Sequence, residues 1–141
     1  MSVVYEIGKY LSDNVSDLTL GTNLFLGDLP DQPDVSAAVF ETTSVAPTMT
    51  FGGTGIPQME RPNVMVWVRH TSYSSGRAIA EKVWQKLSQI ANESLTNEDA
   101  GTTLYQRVDP LGSPALMHRD EQRRVVFTIN FETHKVLSTT V

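Results

Sequence analysis

The residues equipped for chemistry in this chain are three histidines, two acidic runs and a cluster of glycines. The histidines are His70, His118 and His134. A zinc site built from sequence-local ligands sets two imidazoles at i, i+4 on one helix face, as in H-E-x-x-H. No pair here is so spaced, so separate surface or strand-end histidines are expected and no metal site is assigned. The first acidic run, GDLPDQPD, carries Asp28, Asp31 and Asp34. A calcium loop of the EF-hand type spaces its leading carboxylates by two and ends in a glutamate at its twelfth position. This run does neither, and turn formation, which aspartate favours, is its expected role. The second run, HRDEQRR, sets Asp120 and Glu121 among Arg119, Arg123 and Arg124. It reads as a charged turn entering a strand, with ion pairing to a neighbouring subunit as its functional alternative.

FGGTGIP, residues 51–57, raises the question of phosphate binding. A phosphate loop needs a lysine after its glycines and a helix whose first amides face the anion. No lysine follows here, and Pro57 and Pro62 block an immediate helix. The dinucleotide fingerprint G-x-G-x-x-G fails as well. The surrounding stretch 44–62 is rich in proline and glycine and has no sustained period, so it reads as an extended loop or arm. A loop of that length in a compact domain usually has a task. Phe51, Ile56 and Met59 are apolar residues with no local core to enter, which makes them candidate anchors on a partner. No G-x-S-x-G elbow is present, and no catalytic residue or cofactor is assigned.

Elements must position these groups. Val3, Val4, Ile7, Tyr10 and Leu11 form one apolar stripe and predict a helix over 2–12. A short strand is expected at 23–27 and a second at 36–43, where Val39 and Phe40 point to opposite faces. The clearest strand is 63–70, with Val64, Val66 and Val68 on one face and Met65, Trp67 and Arg69 on the other. A helix over 75–92 buries Ile79, Ala80, Val83, Trp84, Leu87, Ile90 and Ala91. Trp84 belongs to that core stripe, whereas Trp67 and Met65 sit on a second strand face open to a neighbour or a ligand. Residues 93–101 read as a loop. A strand at 102–109 places Leu104, Gln106 and Val108 opposite Tyr105 and Arg107. PLGSPALMHRDEQ is an irregular connection, and a strand at 123–134 closes the sheet. KVLSTTV extends that strand or reaches a neighbour.

These elements predict an α+β fold. A single, mostly antiparallel sheet carries two main helices packed on one face, with the long Pro/Gly-rich loop projecting from it. The segment 63–109 also allows one parallel crossover. The chain has 141 residues, enough for a single domain over 1–141 with a real core. Hydrophobic residues make up 40% and charged residues 19%, a globular composition. There are 16 acidic against 11 basic residues, a net charge of −5, which argues against sequence-specific DNA reading. Cysteine is absent, excluding disulfides and thiol catalysis. The N-terminus lacks the pattern of a signal peptide, and no run is long and apolar enough to span a membrane.

The order of the pieces adds a resemblance. GTNLFLGDLPD near the start is followed by a strand ending in FETT and by the Pro/Gly-rich loop. Then comes P-x-V-x-V-x-V-R, from Pro62 to Arg69, with an alanine-bearing helix after a short gap, and the chain closes on DEQRRVVFTINFE. In this order they resemble the tail terminator and tail-completion (minor capsid) proteins of tailed phages, over nearly the whole chain. The resemblance implies a structural virion protein with no enzymatic activity. It implies a ring, usually of six copies, at the head-proximal end of the tail tube. Such a ring stops tube polymerisation and joins the head connector, while DNA passes through its lumen. Its partners would be itself, the tail tube protein and the connector, in the virion and, during assembly, the host cytoplasm. The subunit and tube contacts expected are Phe51, Ile56, Met59, Met65, Trp67, Arg119, Asp120, Glu121, Arg123 and Arg124. The alternatives are another head–tail connector or neck protein, or a soluble α+β module binding a small ligand near Trp67 and His70.

Overall fold

The computed structural model describes residues 2–42, 48–49 and 57–136. Phe51 and Ile56 therefore lie outside the described residues. The chain begins with helix α1 (Val3–Asn14), then strands β1 (Leu24–Leu26), β2 (Ser36–Thr42), β3 (Thr48–Met49), β4 (Pro57–Glu60) and β5 (Asn63–His70). Helix α2 (Tyr73–Ser88) follows, then β6 (Ala91–Thr96), β7 (Thr102–Pro110), β8 (Ala115–Arg119) and β9 (Val125–Val136). Among the described residues no helix is long and apolar enough to cross a membrane.

β9 is the spine of the sheet. Its first eight residues pair with β5 along one edge, and Lys135 and Val136 pair with β4 further along that edge. The opposite edge is shared by β8 near the start of β9 and β7 near its end. β2 extends the sheet beyond β5, β1 beyond β2, and β6 beyond β7. Among the described residues every strand pairing is antiparallel except β1 with β2. The fold is thus α+β with a mixed sheet, but the parallel pair lies at β1–β2 and not in the 63–109 segment. β5 and β7 do run in one direction, with β9 between them.

The core follows the alternation of β5 and β9. Val64, Val66 and Val68 point the same way as Phe127, Ile129 and Phe131, their register partners, and all are buried. Ile7 and Leu11 of α1 and Ile79, Val83 and Leu87 of α2 complete the same cluster. Burying one such aliphatic side chain is worth about 2 kcal/mol before entropy is counted. Serines cap both helices: the Ser2 hydroxyl accepts from the Tyr5 amide and the Ser72 hydroxyl from the Ser75 amide. α1 touches β1, β2 and β6, elements from opposite ends of the strand order, so the sheet curls about the core.

The structure departs from the sequence expectation in several elements. α2 stops at Ser88, and the chain turns so that Ile90 is still buried while Ala91, now exposed, opens β6. β6 and β8 occupy segments expected to be irregular, and β3 and β4 fall within the stretch 44–62. In β7 the register slips between Tyr105 and Arg107, a bulge that turns both Tyr105 and Val108 inward and leaves Leu104 exposed.

Candidate assembly surface

Loop 27–35 carries two of the chain's seven prolines and is tied down by side chains from distant parts of the chain. Two arginines do this. Arg69 shares its side of β5 with Met65 and Trp67, away from the helices. Its Nη2 donates to the carbonyls of Pro30 at 2.6 Å and Pro33 at 2.7 Å and to Ser36 Oγ at 2.8 Å, and its Nε donates to the Asp34 carbonyl. Arg124, just before β9, donates from Nη2 to Asp31 Oδ1 at 2.8 Å, from Nη1 to Asp34 Oδ1 at 3.0 Å and from Nε to Asp120 Oδ2 at 2.7 Å. Both arginines are almost fully buried, at 4% and 3% exposure.

The charges behave accordingly. Burial, and then the nearby Arg124 cation, pull Arg69 below the usual guanidinium value. Burial also works against the Arg124 charge, but hydrogen bonds to Asp31, Asp120 and Asp34 outweigh it and raise its pKa. Desolvation would lift Asp120, yet backbone and side-chain hydrogen bonds from Arg124 hold its carboxyl below the usual range. Held by these two arginines, loop 27–35 lies across one end of the sheet face that carries Met65 and Trp67. Ala38 and Val126, register partners of Trp67 and Arg69, are buried beneath that end.

The rest of that face is half covered. Phe40 and Trp67 meet there with ring centroids 4.8 Å apart at 54°. Met65 is the register partner of Phe40, so the three form one apolar patch, bordered by exposed Asn130. Trp67 Nε1 and Thr128 Oγ1, on opposed residues, are buried without a hydrogen-bond partner among the described residues. Such groups normally find a donor or acceptor, so the patch is incompletely satisfied as it stands.

The residues singled out in the sequence therefore divide. Met65 and Trp67 lie together on this face, and Met59 stands half-buried on β4, opposite Val136. Asp120 and Arg124 are engaged within the chain, whereas Arg119, Glu121 and Arg123 are exposed. Arg119 donates to the Arg123 carbonyl, and Arg123 takes a positive φ of 64° to close the turn. Asp31 and Asp34, read as turn formers, are the acceptors that lock Arg124. No local pattern announces that pairing, because the partners are 93 and 90 residues apart.

The histidines are not brought together. The His70 Nδ1 accepts from the Ser72 amide at the start of α2, and His118 is exposed on β8. His134 Nε2 lies 3.2 Å from Glu132 and 3.3 Å from Asp109. No cluster of three or more His, Asp or Glu among the described residues is placed to hold a metal ion.

Nine chains of solved structure match this one. One of them has a TM-score of 0.50 and 15% identity, covering 94% of each chain. At that identity the likeness concerns the fold. A search of the curated proteins finds no match. The family model described as bacteriophage tail terminator protein matches residues 10–137, from within α1 to just past β9. The chain belongs to the bacteriophage tail terminator family.

Proposed function

We propose that six copies of this chain form a ring on the head-proximal end of a phage tail tube. The ring ends tube growth, receives the head connector and lets DNA pass through its lumen. The observation that carries this reading is the family match across residues 10–137. A closed ring needs two different patches on each subunit that meet by rotation. The Phe40–Met65–Trp67 face supplies an apolar patch of the kind that partners cover. Exposed Arg119, Glu121 and Arg123 supply a charged one. Asp120 and Arg124 serve this surface indirectly, by shaping the turn. Phe51, Ile56 and Met59 act as anchors of the 44–62 stretch on a neighbour or on the tube. A net charge of −5 on each subunit disfavours sticking of the DNA that passes through the lumen. Assembly takes place in the host cytoplasm, and the product is a part of the virion.

The experiment is absolute mass by light scattering over a concentration series, with and without purified tail tubes, followed by electron microscopy of the tube ends. The expected result is a mass near six protomers, or rings that appear only on tubes. A monomer that ignores tubes at every concentration would overturn the reading.

A further inference from the structure

Among the described residues the sheet has two long free edges, β8 and β6. β8 pairs only with β9, and β6 only with β7. All five residues of β8 are exposed. Three of the exposed large apolar side chains lie on it or just before it, Leu111 at 56%, Leu116 at 44% and Met117 at 37%, while Leu26 and Leu104 lie on β1 and β7. Tyr73 is also exposed and packs on Phe127, the register partner of Leu116, at a centroid distance of 5.3 Å. A free strand edge with apolar side chains is a template for pairing with another strand, and proteins that leave it bare risk aggregation. Such an edge on a soluble subunit calls for a defined partner.

Charge identifies that partner. Most exposed cations of this acidic chain are already matched, as in Lys9–Asp13, Arg77–Glu81, Lys82–Asp17 and Arg107–Asp109. Among the described residues, Arg119 and Arg123, at the end of β8 and in the turn after it, have no ion pair, and Glu121 in the same turn makes none with them. The free edge of β6 has the opposite character. Glu93 on the strand and Glu98 and Asp99 in the turn that follows are exposed and pair with no cation among the described residues, though Glu98 Oε1 accepts from the Ser2 amide at 2.7 Å. One free edge is thus apolar and basic at its end, and the other is polar and acidic. β6 packs against α1 on the curled side of the sheet, whereas β8 does not, so the two edges are distinct patches.

We propose that β8 of one copy of this chain adds in parallel to β6 of the next, Leu116 beside Ser94, so that Arg119 and Arg123 face Glu98 and Asp99 in the turn that follows β6. The contact is heterologous, so it propagates from subunit to subunit until rotation closes it. The proposal rests on the ring reading and names the strands that would join its members.

The absence of cysteine permits a clean test. A Leu116→Cys/Ser94→Cys double variant is oxidised at the concentration where wild-type mass is measured, and run under denaturing conditions. The expected result is a ladder of covalent multimers ending at the ring size, while each single variant gives no more than a trace of dimer. Charge reversal supplies an independent arm. Arg119→Glu/Arg123→Glu should weaken association at least tenfold, and adding Asp99→Lys should restore part of it. Multimers by light scattering without a ladder, and without response to charge reversal, overturn the strand assignment and leave the ring standing. Equal cross-linking of a single variant overturns it in favour of a two-fold contact. A monomer under all conditions overturns both.

Discussion

Arg124 Nη2 and Asp31 Oδ1 lie 2.8 Å apart, although 93 residues separate them in the chain. The same guanidinium reaches Asp34 and Asp120, so a single side chain ties loop 27–35 and the turn before β9 to each other. Asp31 and Asp34 remain largely exposed and would rehydrate if the arginine were lost, which limits the penalty. Arg124→Met should therefore lower stability by about 2 kcal/mol, the scale of charged hydrogen bonds lost without stranding a buried charge. Arg124→Lys should recover less than half of that, because an ammonium cannot span three carboxylates as a planar fork does. Denaturant midpoints measure the loss, and hydrogen exchange should quicken in 28–36. An Arg124→Met protein with wild-type exchange in that loop would contradict the clamp.

The clamp also fixes the response to acid. The folded-state pKa of Asp120 lies below its unfolded value of about 3.9. The stability contributed by its ionised form is therefore present above that value and is lost as pH falls through the folded pKa. Urea midpoints of the wild type should drop steeply below about pH 4. Asp120→Asn should be less stable at pH 7 and should show a shallower decline in acid, so that the two curves converge. Parallel curves would show that Asp120 carries no such linkage.

Much of the fold was legible because it depends on local alternation. Val64, Val66 and Val68 announced β5 and its core face, and the stripe of α1 was plain. β6 was hidden because Leu95 is the one inward residue in ANESLT, so burial gives no period and the strand exists through its pairing with β7. β8 was hidden because all of its side chains are exposed. Alternation sets Tyr105 and Val108 on opposite faces, whereas a one-residue bulge reverses the parity of β7 and turns both inward, and no residue type signals it. On the candidate surface, Met65 and Trp67 could be read from alternation alone. The role of Asp31, Asp34 and Arg124 could not, because it depends on contacts between distant segments.

A buried polar group inside the core sets a third expectation. Tyr105 Oη donates to Glu6 Oε1 at 2.8 Å, and Lys135 Nζ lies 3.0 Å from the same oxygen, with all three residues buried. Lys135→Met leaves the Glu6 carboxylate buried without its cation and should lower stability by roughly 3–5 kcal/mol. Replacing Glu6, Tyr105 and Lys135 together by Leu, Phe and Met should recover most of that loss. Burial, and next the Glu6 charge, raise the Tyr105 pKa. Its contribution to stability is therefore complete below the unfolded value of about 10 and declines as pH rises above it. Tyr105→Phe should flatten the alkaline limb of the stability profile. An unchanged limb, or a triple variant no better than Lys135→Met, would count against the coupling.

Two helical glycines should respond oppositely to alanine, although helix propensity alone predicts a gain of about 1 kcal/mol at each. A Cβ on Gly76 of α2 would sit 2.9 Å from His70 Cβ and 3.0 Å from Phe127 Cε2. Both atoms belong to sheet residues held by their pairing, and Phe127 is in the core, so neither can withdraw without moving α2 off the sheet. A Cβ on Gly8 of α1 would meet Leu26 Cδ2 at 2.5 Å, but that atom is the far end of a partly exposed side chain with room to rotate. Gly8→Ala should therefore be neutral or stabilising by up to about 1 kcal/mol. Gly76→Ala should destabilise by on the order of 1–3 kcal/mol, the usual range for overpacking. Thermal midpoints of the two variants decide the matter. A stabilised Gly76→Ala would mean that α2 does not approach β5 and β9 as closely as the contacts at Gly76 require.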